Sequence, residues 1–402
     1  MQGAGAAPLL ESRGKASGGV KGQRPLGSPI NTRKLPGEVT NSIAKKGQGR
    51  NSLAESRGSA PWVSPINTRK LYEEVTNSIA KKGQGRNSLA GSRGSAPWVS
   101  LMKGKKAMRL STSTCMYFNR PDGTKASILD SVRTLGQAGY RVLDMNFHDL
   151  SVFDTPFKTP QWEALIHQAK DIADEMGIEF SQGHLHFYNF CDPNTPDKEF
   201  LDELIRRGIE GGRILGIKWL VIHAATDFDS VTPVRDSKRK TIEYLKPRIE
   251  LAGKYGVGIA VENLWEENIA PKRRYCVTAE ELGDLVDSLP YDNVGCCWDV
   301  EHASICHQDQ RKALQYLGKR LKATHISDYN SIKNDHILPF SGLSDWKEIT
   351  DALRLAKYDG DFTYETHNFT AKMPDEVIMS GLKHSIDIGN LLIDMIQGGH
   401  QA

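Results

Sequence analysis

Four short apolar runs in this sequence each end in an acidic or imidazole side chain. They are Gly-Ile-Ala-Val-Glu262, Val-Gly-Cys-Cys-Trp-Asp299, Leu-Lys-Ala-Thr-His325 and Asp-Phe-Thr-Tyr-Glu365. Runs that are apolar on both faces predict buried parallel strands. A carboxylate that is buried there without a partner costs several kcal/mol, so these side chains need a shared cation or polar partner. Two Glu, one Asp and one His suit Mn²⁺, Mg²⁺, Co²⁺ or Zn²⁺.

From Met108 onward, apolar runs alternate with amphipathic stretches eight times. The runs end near Thr114, Asn146, Gln182, His223, Glu262, Asp299, Ile326 and Glu365. The stretches with helical periodicity cover residues 127–138, 161–176, 197–215, 238–255, 279–289, 312–317, 345–355 and 375–393. Eight strand-then-helix units predict an α/β fold, a (β/α)₈ TIM barrel, which typically has about 250 residues. A doubly wound open sheet would instead have a Gly-rich turn after the first strand, where Thr114-Cys-Met-Tyr-Phe lacks glycine.

The predicted barrel brings distant side chains together. The carboxyl ends of all eight strands of a TIM barrel meet at one mouth. Glu262, Asp299, His325 and Glu365 are therefore predicted to form one site, although they belong to four different strands.

Residues 1–107 differ in composition from the rest of the chain. They hold 19 Lys/Arg and 5 Asp/Glu, which leaves 33 and 44 of the chain's 52 and 49 for residues 108–402. Ser28-Pro-Ile-Asn-Thr-Arg-Lys-Leu recurs from Ser64, at a period of 36 residues. Each copy has few large apolar residues, so we predict a disordered basic leader, 1–107, before a barrel that spans 108–402. A basic tail that touches nucleic acid is the alternative.

The sequence shows neither a secretory signal nor a membrane-spanning segment. The leader has no continuous apolar segment of the secretory type, and no stretch reaches membrane-spanning length. The six cysteines all follow residue 107 and form no CxxC pair. This pattern predicts free thiols in a reducing compartment, and hence a cytoplasmic protein.

Several strand-end motifs follow one another in a characteristic order. They are Glu262-Asn, Trp298-Asp299-Val-Glu-His302-Ala, His325-Ile-Ser-Asp328 and Tyr364-Glu365-Thr-His367. Their order and spacing resemble the xylose isomerase-like barrels, the sugar (phosphate) isomerase/epimerase family. The likeness covers about residues 108–395 and includes Gln182-Gly-His184-Leu, Val-Ile-His223 and His336-Ile-Leu-Pro-Phe-Ser-Gly342. The leader has no counterpart in that family.

The resemblance implies a metal-dependent isomerase or epimerase of a sugar or sugar phosphate. By position, the ligands of one divalent ion would be Glu262, Asp299, His325 and Glu365. Such an ion polarises a carbonyl oxygen, and Glu262 and Glu365 would be the catalytic residues that exchange a proton with either face of an enediolate. The residues implied to bind substrate are His184, His223, His302, His336 and Trp265. The implied partner is a small sugar; neither membrane nor nucleic acid is expected, and homo-oligomerisation stays open.

Three other functions stay open. The same barrel family includes apurinic endonucleases with three zinc ions, whose additional ligands fall at His184, His223, His302 and His336. Those enzymes have an Asp two residues before the last of these, where this chain has Asn334, and the barrel's net charge of −11 (33 − 44) suits a phosphate backbone poorly. An inosose lyase and a barrel that only binds sugar are the other two.

The identity of the sugar also stays open. Ketose 3-epimerases of this family carry an Arg about six residues after the metal-binding His, and Ser331 stands there in this chain. Aromatic side chains that would stack on a sugar ring, or simply pack, are Tyr117, Phe187, Trp265 and Trp298.

The remaining polar residues of the motifs are interpreted as structural. Glu301 is predicted to point away from the metal, and Asp328 to orient a neighbour or cap the next helix. The histidines predicted to be surface or structural groups are His148, His167, His307, His367 and His384.

We predict that residues 1–107 are dispensable, because their repeat lacks an apolar face that a core would need. A protein that starts at Met108 should remain soluble, unfold cooperatively in urea and bind a divalent metal as the full chain does. Loss of cooperative unfolding in the shorter protein would contradict this prediction.

Overall fold

The computed structural model describes residues 107–266, 273–331 and 335–398. The predicted leader, apart from Ala107, and the predicted departure at Asn334 lie outside these residues.

Eight strands form a single parallel sheet. They are β1 Leu110–Ser113, β2 Val142–Asn146, β3 Glu179–His184, β4 Trp219–His223, β5 Gly258–Glu262, β6 Val294–Asp299, β7 Leu321–His325 and β8 Phe362–Tyr364. Their order is β7-β6-β5-β4-β3-β2-β1-β8, so each strand but the last pairs with its neighbour in sequence and β8 returns to β1. The predicted TIM barrel is confirmed, and each strand ends within two residues of its predicted end.

The barrel is nearly closed between β7 and β8. Ile326, directly after β7, bridges in parallel to Tyr364. Its amide donates to the carbonyl of Thr363 (2.9 Å), and its carbonyl accepts from the amide of Glu365 (3.0 Å). This closure holds the ends of β7 and β8 side by side at the mouth.

Ten α-helices surround the barrel in the described residues. They are α1 Ile128–Ala138, α2 Phe147–Val152, α3 Trp162–Glu175, α4 Lys198–Leu215, α5 Pro233–Lys254, α6 Ala279–Asp287, α7 Val300–Ile305, α8 Gln310–Leu317, α9 Trp346–Ala356 and α10 Asp375–Gln397. The eight predicted helices are all present, although α5 begins at Pro233 rather than at residue 238. Proline is favourable in the first helical turn, since its missing N–H has no helical partner there anyway. The sequence did not predict α2 and α7, because six residues are too few to display a helical period.

Two irregularities in the ladder set which side chains face the barrel interior. On β3, Leu143 pairs with Phe180 but Asp144 pairs with Gln182, so Ser181 is an extra residue. A bulge of this kind reverses the inward and outward alternation. Phe180 therefore packs in the outer core, whereas Gln182 and the strand-end histidine turn inward.

The second irregularity lies on β7. Leu321 pairs with Cys296 while Ala323 pairs with Cys297, so Lys322 is the extra residue. Leu321 belongs to the outer core, and Ala323 packs inside the barrel against Cys297. His325, two residues further, consequently points to the interior.

The main core lies between the outer faces of the strands and the helices. Gly258 of β5 pairs with Trp219 of β4, and a Cβ at Gly258 would lie 2.3 Å from the Trp219 ring. Glycine is thus required where the indole crosses the next strand. At the helix ends, Gly216 and Gly256 have φ of +75° and +70°, the left-handed conformation with which many helices end and which glycine adopts without strain.

Two further sequence-based predictions can be compared with the described residues. All six cysteines are free, five of them buried, as predicted. In the described part of the chain, none of the helices is both long and apolar enough to cross a membrane.

The loop after β7 is organised around the buried carboxylate of Asp328. One oxygen accepts from the amides of Tyr329 (2.9 Å) and Ser344 (3.0 Å). The other accepts from the amide of Gly342 (3.1 Å) and from Nε1 of Trp346 (2.9 Å). Asp328 therefore orients its neighbours, and the cap of α9 is Asp345, whose side chain accepts from Glu348 N.

We predict that Asp328→Ala lowers the free energy of unfolding by about 3 kcal/mol or more, because several donors lose their acceptor at about 1–3 kcal/mol each. Urea unfolding would measure the change. The matched control is Asp345→Ala, an exposed cap whose loss costs about 1 kcal/mol. Equal destabilisation by the two substitutions would contradict a central role of Asp328.

Candidate active site

The four predicted metal ligands come together at the mouth of the barrel. Glu262, Asp299 and His325 end β5, β6 and β7, and Glu365 directly follows β8. The register of β6 and β7 places Asp299 opposite His325. One potential ligand atom of each residue lies within 4.8 Å of the others, and all four residues are buried. An ion with bonds of about 2 Å can bridge such a set after small side-chain movements.

Asp299 presents one free carboxylate oxygen to this cluster. Its Oδ1 accepts from the amides of Glu301 (2.7 Å) and His302 (2.9 Å), which caps α7. Its Oδ2 is buried and has no hydrogen-bond partner in the described residues. A buried carboxyl oxygen without a donor is what a cation would satisfy, so the residues fit a divalent metal.

Glu262 is the centre of a set of imidazoles. Its Oε1 lies 2.8 Å from Nδ1 of His325. Its Oε2 lies 3.0 Å from Nε2 of His223 and 3.2 Å from Nε2 of His184. The carboxylate is fully buried, and the hydrogen bonds described for it all come from these ring nitrogens.

Glu365 approaches the same point from the other side of His325. Its Oε2 lies 3.2 Å from Nδ1 of His325, and its Oε1 lies 3.6 Å from Nε2 of His367. The two glutamates therefore flank one ring nitrogen, but Glu365 is the less tightly held of the two.

A cavity of about 700 Å³ opens above this cluster. All four residues of the cluster are buried, and Glu262 and Glu365 are among the residues that line the cavity. The two glutamates therefore lie between the cluster and a molecule in the cavity.

The residues predicted to bind substrate all line the same cavity, namely His184, His223, His302, His336 and Trp265. His302 donates from Nδ1 to the carbonyl of Asn263 (2.8 Å), which leaves Nε2 for a ligand. The amide of His336 donates to Glu301 (2.7 Å), so Glu301 holds the loop that carries His336. Arg274 lies 5.0 Å above the Trp265 ring.

The sequence interpretation of two histidines was wrong. His148 and His367 were predicted to be surface or structural groups, yet both line the cavity. Each follows a strand end closely: His148 comes two residues after Asn146, the end of β2, and His367 comes three residues after Tyr364, the end of β8. A polar residue shortly after a barrel strand was the signal that could have identified them.

Some of the aromatic residues that the sequence singled out line the cavity, and others do not. Phe187 lines the cavity and stacks on His223 with ring centroids 3.8 Å apart. Trp298 instead packs in the core and donates from Nε1 to Gln310 (2.8 Å). Tyr117 is not among the residues that line the cavity. The wall above the polar floor is largely apolar and includes Val152, Phe153, Phe187, Phe228, Leu264 and Trp265.

The carboxylates of the cluster differ in charge. Burial alone would raise the pKa of Glu262, but the charge of His325 and the hydrogen bonds from His184 and His223 hold that pKa well below its usual value. Burial, reinforced by the negative charge of Glu262, raises the pKa of Asp299 to about 7. Without a metal, the cluster therefore retains a proton on Asp299 up to nearly neutral pH.

The comparison with protein families gives one match. The family described as xylose isomerase-like TIM barrel matches residues 132–387, which is more than half of the chain. Among curated proteins, an uncharacterised protein of Sinorhizobium fredii is 29% identical over 181 residues, which are 44% of this chain and 56% of that protein. The alignment thus spans little more than half the length of this relative.

Solved structures of the same fold include a sugar epimerase and an epimerase-like protein. A D-tagatose 3-epimerase-like protein superposes with a TM-score of 0.57 at 19% identity, over 73% of this chain and 99% of that one. A D-psicose 3-epimerase, crystallised in the presence of D-fructose, superposes with a TM-score of 0.56 at 16% identity, over 71% and 99%. At these identities the likeness establishes the fold.

We predict that a divalent ion binds with release of protons and that its affinity falls below pH 7. Asp299, with its pKa raised to about 7, is protonated there and must lose its proton to become a ligand. Calorimetric titration with Mn²⁺ at pH 6 in two buffers of different ionisation enthalpy would measure the protons released. Asp299→Asn should release fewer. Equal heats in both buffers would contradict the prediction.

Proposed function

Because this chain belongs to the xylose isomerase-like TIM barrel family, we propose that it is a divalent-metal-dependent isomerase or epimerase of a sugar or sugar phosphate. The observation that carries the proposal is the buried four-residue cluster at the mouth of the barrel, two of whose members, Glu262 and Glu365, also line the cavity. Proton transfer next to a carbonyl needs a metal-binding set and at least one carboxylate close to the substrate.

The residues that would hold the ion are Glu262, Asp299, His325 and Glu365. When bound, a divalent ion such as Mn²⁺, Mg²⁺, Co²⁺ or Zn²⁺ polarises the carbonyl oxygen of a keto sugar and acidifies the adjacent C–H. One glutamate takes that proton and leaves an enediolate, and a glutamate then returns a proton. Return to the opposite face inverts the carbon, which is epimerisation, whereas return to the neighbouring carbon is isomerisation.

The two glutamates are suited to different halves of this exchange. Three imidazoles hold Glu262 within 3.2 Å, so its orientation is restricted. Glu365 has looser contacts with His325 and His367, at 3.2 and 3.6 Å. We assign the first proton abstraction to Glu365, because a less engaged carboxylate is freer to accept a proton.

The cavity favours a small sugar as substrate. Histidines around its floor offer donors and acceptors for hydroxyl groups, and Trp265 and Phe187 offer ring faces to the apolar side of a sugar. Arg274 is the single Lys or Arg among the described residues that line it. The structural neighbours named as D-tagatose and D-psicose 3-epimerases support the same substrate class. Ser331 is exposed and does not line the cavity, so the far end of the substrate would be held by other groups.

A second candidate is an apurinic endonuclease-type phosphodiesterase. The observation in its favour is a further group with metal-like spacing, His184, His223 and Glu262, whose ligand atoms lie within 4.8 Å of one another. The scarcity of cationic residues around the described cavity argues against a phosphate backbone. Elemental analysis after dialysis separates the two candidates. One ion per chain fits the isomerase, whereas three zinc ions together with cleavage of abasic DNA would establish the nuclease.

We predict that metal binding and proton transfer can be separated by substitution. Asp299→Asn and His325→Ala should mainly weaken metal affinity, so a high metal concentration should restore part of their activity. Glu262→Gln and Glu365→Gln should stay impaired at saturating metal by about 10²–10⁴-fold, the usual cost of losing a general base.

The measurement is exchange of the carbon-bound proton of a ketose, such as D-fructose or D-tagatose, with solvent deuterium. Exchange reports proton abstraction even when turnover is slow, and Asp299→Asn at saturating metal is the matched control. A metal-loaded Glu262→Gln or Glu365→Gln protein that exchanges at the wild-type rate would show that this glutamate is only a ligand. If both do, the two-carboxylate mechanism is wrong.

A further inference from the structure

The barrel interior directly below the metal-binding cluster is divided into two halves. The inward-facing residues of β4 to β7 form a small apolar cluster of Val221, Ala260, Cys297 and Ala323. The corresponding positions of β8, β1, β2 and β3 are polar and buried, namely Thr363, Ser111, Asp144 and Gln182. An ionisable residue therefore lies inside the barrel, below the cavity floor, where the activity proposed above assigns it no role.

Asp144 is the residue in question. It lies on β2 between Leu143 and Met145, both of which pack in the outer core, so its side chain faces the interior. It is fully buried, and neither of its carboxylate oxygens has a hydrogen-bond partner in the described residues. Buried polar groups are nearly always hydrogen-bonded, so two unpartnered oxygens on one side chain need an explanation.

A complementary unpartnered atom lies on His325. Its Nδ1 faces Glu262 and Glu365, on the side of the proposed metal. Its Nε2 is buried and likewise has no hydrogen-bond partner in the described residues. Asp144 pairs with Gln182 of β3, and the side-chain amide of Gln182 donates across the barrel to the carbonyl of Thr324, the residue before His325 (3.5 Å). The interior at the level of Asp144 thus reaches β7 directly before His325. The charge of His325 also opposes the rise in the pKa of Asp144 that burial causes.

Metal binding would leave this nitrogen as the donor of the ring. A charged imidazole has N–H on both nitrogens, and one that binds an ion through Nδ1 keeps its remaining proton on Nε2. Metal-binding histidines generally donate that second N–H to a carboxylate, a carbonyl or a water, which fixes the tautomer and the ring orientation. The Cys297 thiol also lies near this ring, but a thiol is only a weak acceptor.

We propose that Asp144 is a positioning residue for the metal centre, whose carboxylate accepts the hydrogen bond from Nε2–H of His325, directly or through one water. The inference rests on the metal site of the proposed function and goes beyond it. Asp144 does not touch the ion or the substrate; it selects the His325 tautomer that binds metal through Nδ1. The carboxyl group is buried, its oxygens have no hydrogen-bond partner in the described residues, and burial raises its pKa, so its presence favours metal binding at the expense of stability.

Two measurements on the full chain test this role. Mn²⁺ affinity would be determined by calorimetric titration, and thermal unfolding would be followed in metal-free protein. Asp144→Leu, which removes the acceptor at similar size, should weaken Mn²⁺ binding by about 10–100-fold. It should also raise the unfolding midpoint of the metal-free protein, because a buried unpaired carboxylate is gone. Asp144→Asn should lose less affinity, since its amide oxygen still accepts a hydrogen bond.

Two further variants provide controls. Ser111→Ala removes an unpartnered buried hydroxyl from the same polar half of the interior and should leave Mn²⁺ affinity unchanged. Cys297→Ala tests the other neighbour of His325 and should also leave Mn²⁺ affinity unchanged.

Several outcomes would overturn the proposal. The proposal would be wrong if Asp144→Leu bound Mn²⁺ with wild-type affinity. It would also be wrong if Cys297→Ala weakened Mn²⁺ binding and Asp144→Leu did not. A lower unfolding midpoint of metal-free Asp144→Leu would assign Asp144 to packing. A wild-type chain that binds no divalent ion would defeat the proposed function itself, whereas normal wild-type binding with an unaffected Asp144→Leu would defeat only this inference.

Discussion

The fully buried carboxylate of Glu262 is the constraint on which the mouth of this barrel depends. A carboxylate removed from water is stable only beside compensating donors, and its interactions are stronger there than in solvent. Three imidazoles from β3, β4 and β7 supply that compensation within 3.2 Å. Strand ends that would otherwise be independent are therefore tied to one anion. The pKa of Glu262 is accordingly held low while burial and the charge of Glu262 raise that of Asp299.

The two carboxyl oxygens of Asp299 have different roles. One oxygen caps the short helix α7, which fixes the carboxylate relative to the strand that precedes it. The other oxygen stays available to the cluster. The same helix carries Glu301, which holds the backbone of His336, so a single strand-to-helix turn positions a metal ligand and part of the cavity floor. This coupling explains why the Trp-Asp-Val-Glu-His-Ala motif is compact: its residues act on one another through backbone amides.

The two layers of the barrel interior have opposite requirements. The upper layer must converge on a cation, so it is built of carboxylates and imidazoles. The layer below must fill space, and on β4 to β7 it does so with small apolar residues. Asp144 breaks this division, because a charged group is not required for packing at that position. Its two oxygens and the Nε2 of His325 are buried without hydrogen-bond partners in the described residues, and the proposed hydrogen bond between them would link the lower layer to the metal-binding one.

The alternation of strands and helices could be predicted from the sequence alone. That alternation in turn predicted the barrel and the four residues of the cluster. Periodicity is a local property, and parallel strands that end in Glu262, Asp299, His325 and Glu365 have their carboxyl ends on the same edge. Which side chains reach the cavity, in contrast, depends on tertiary packing. The bulges at Ser181 and Lys322 change which residues of β3 and β7 face the interior, and they cannot be predicted from the local sequence pattern. His148 and His367 entered the site for the same reason: a side chain in a connecting loop acquires its direction from packing against neighbours that are distant in sequence.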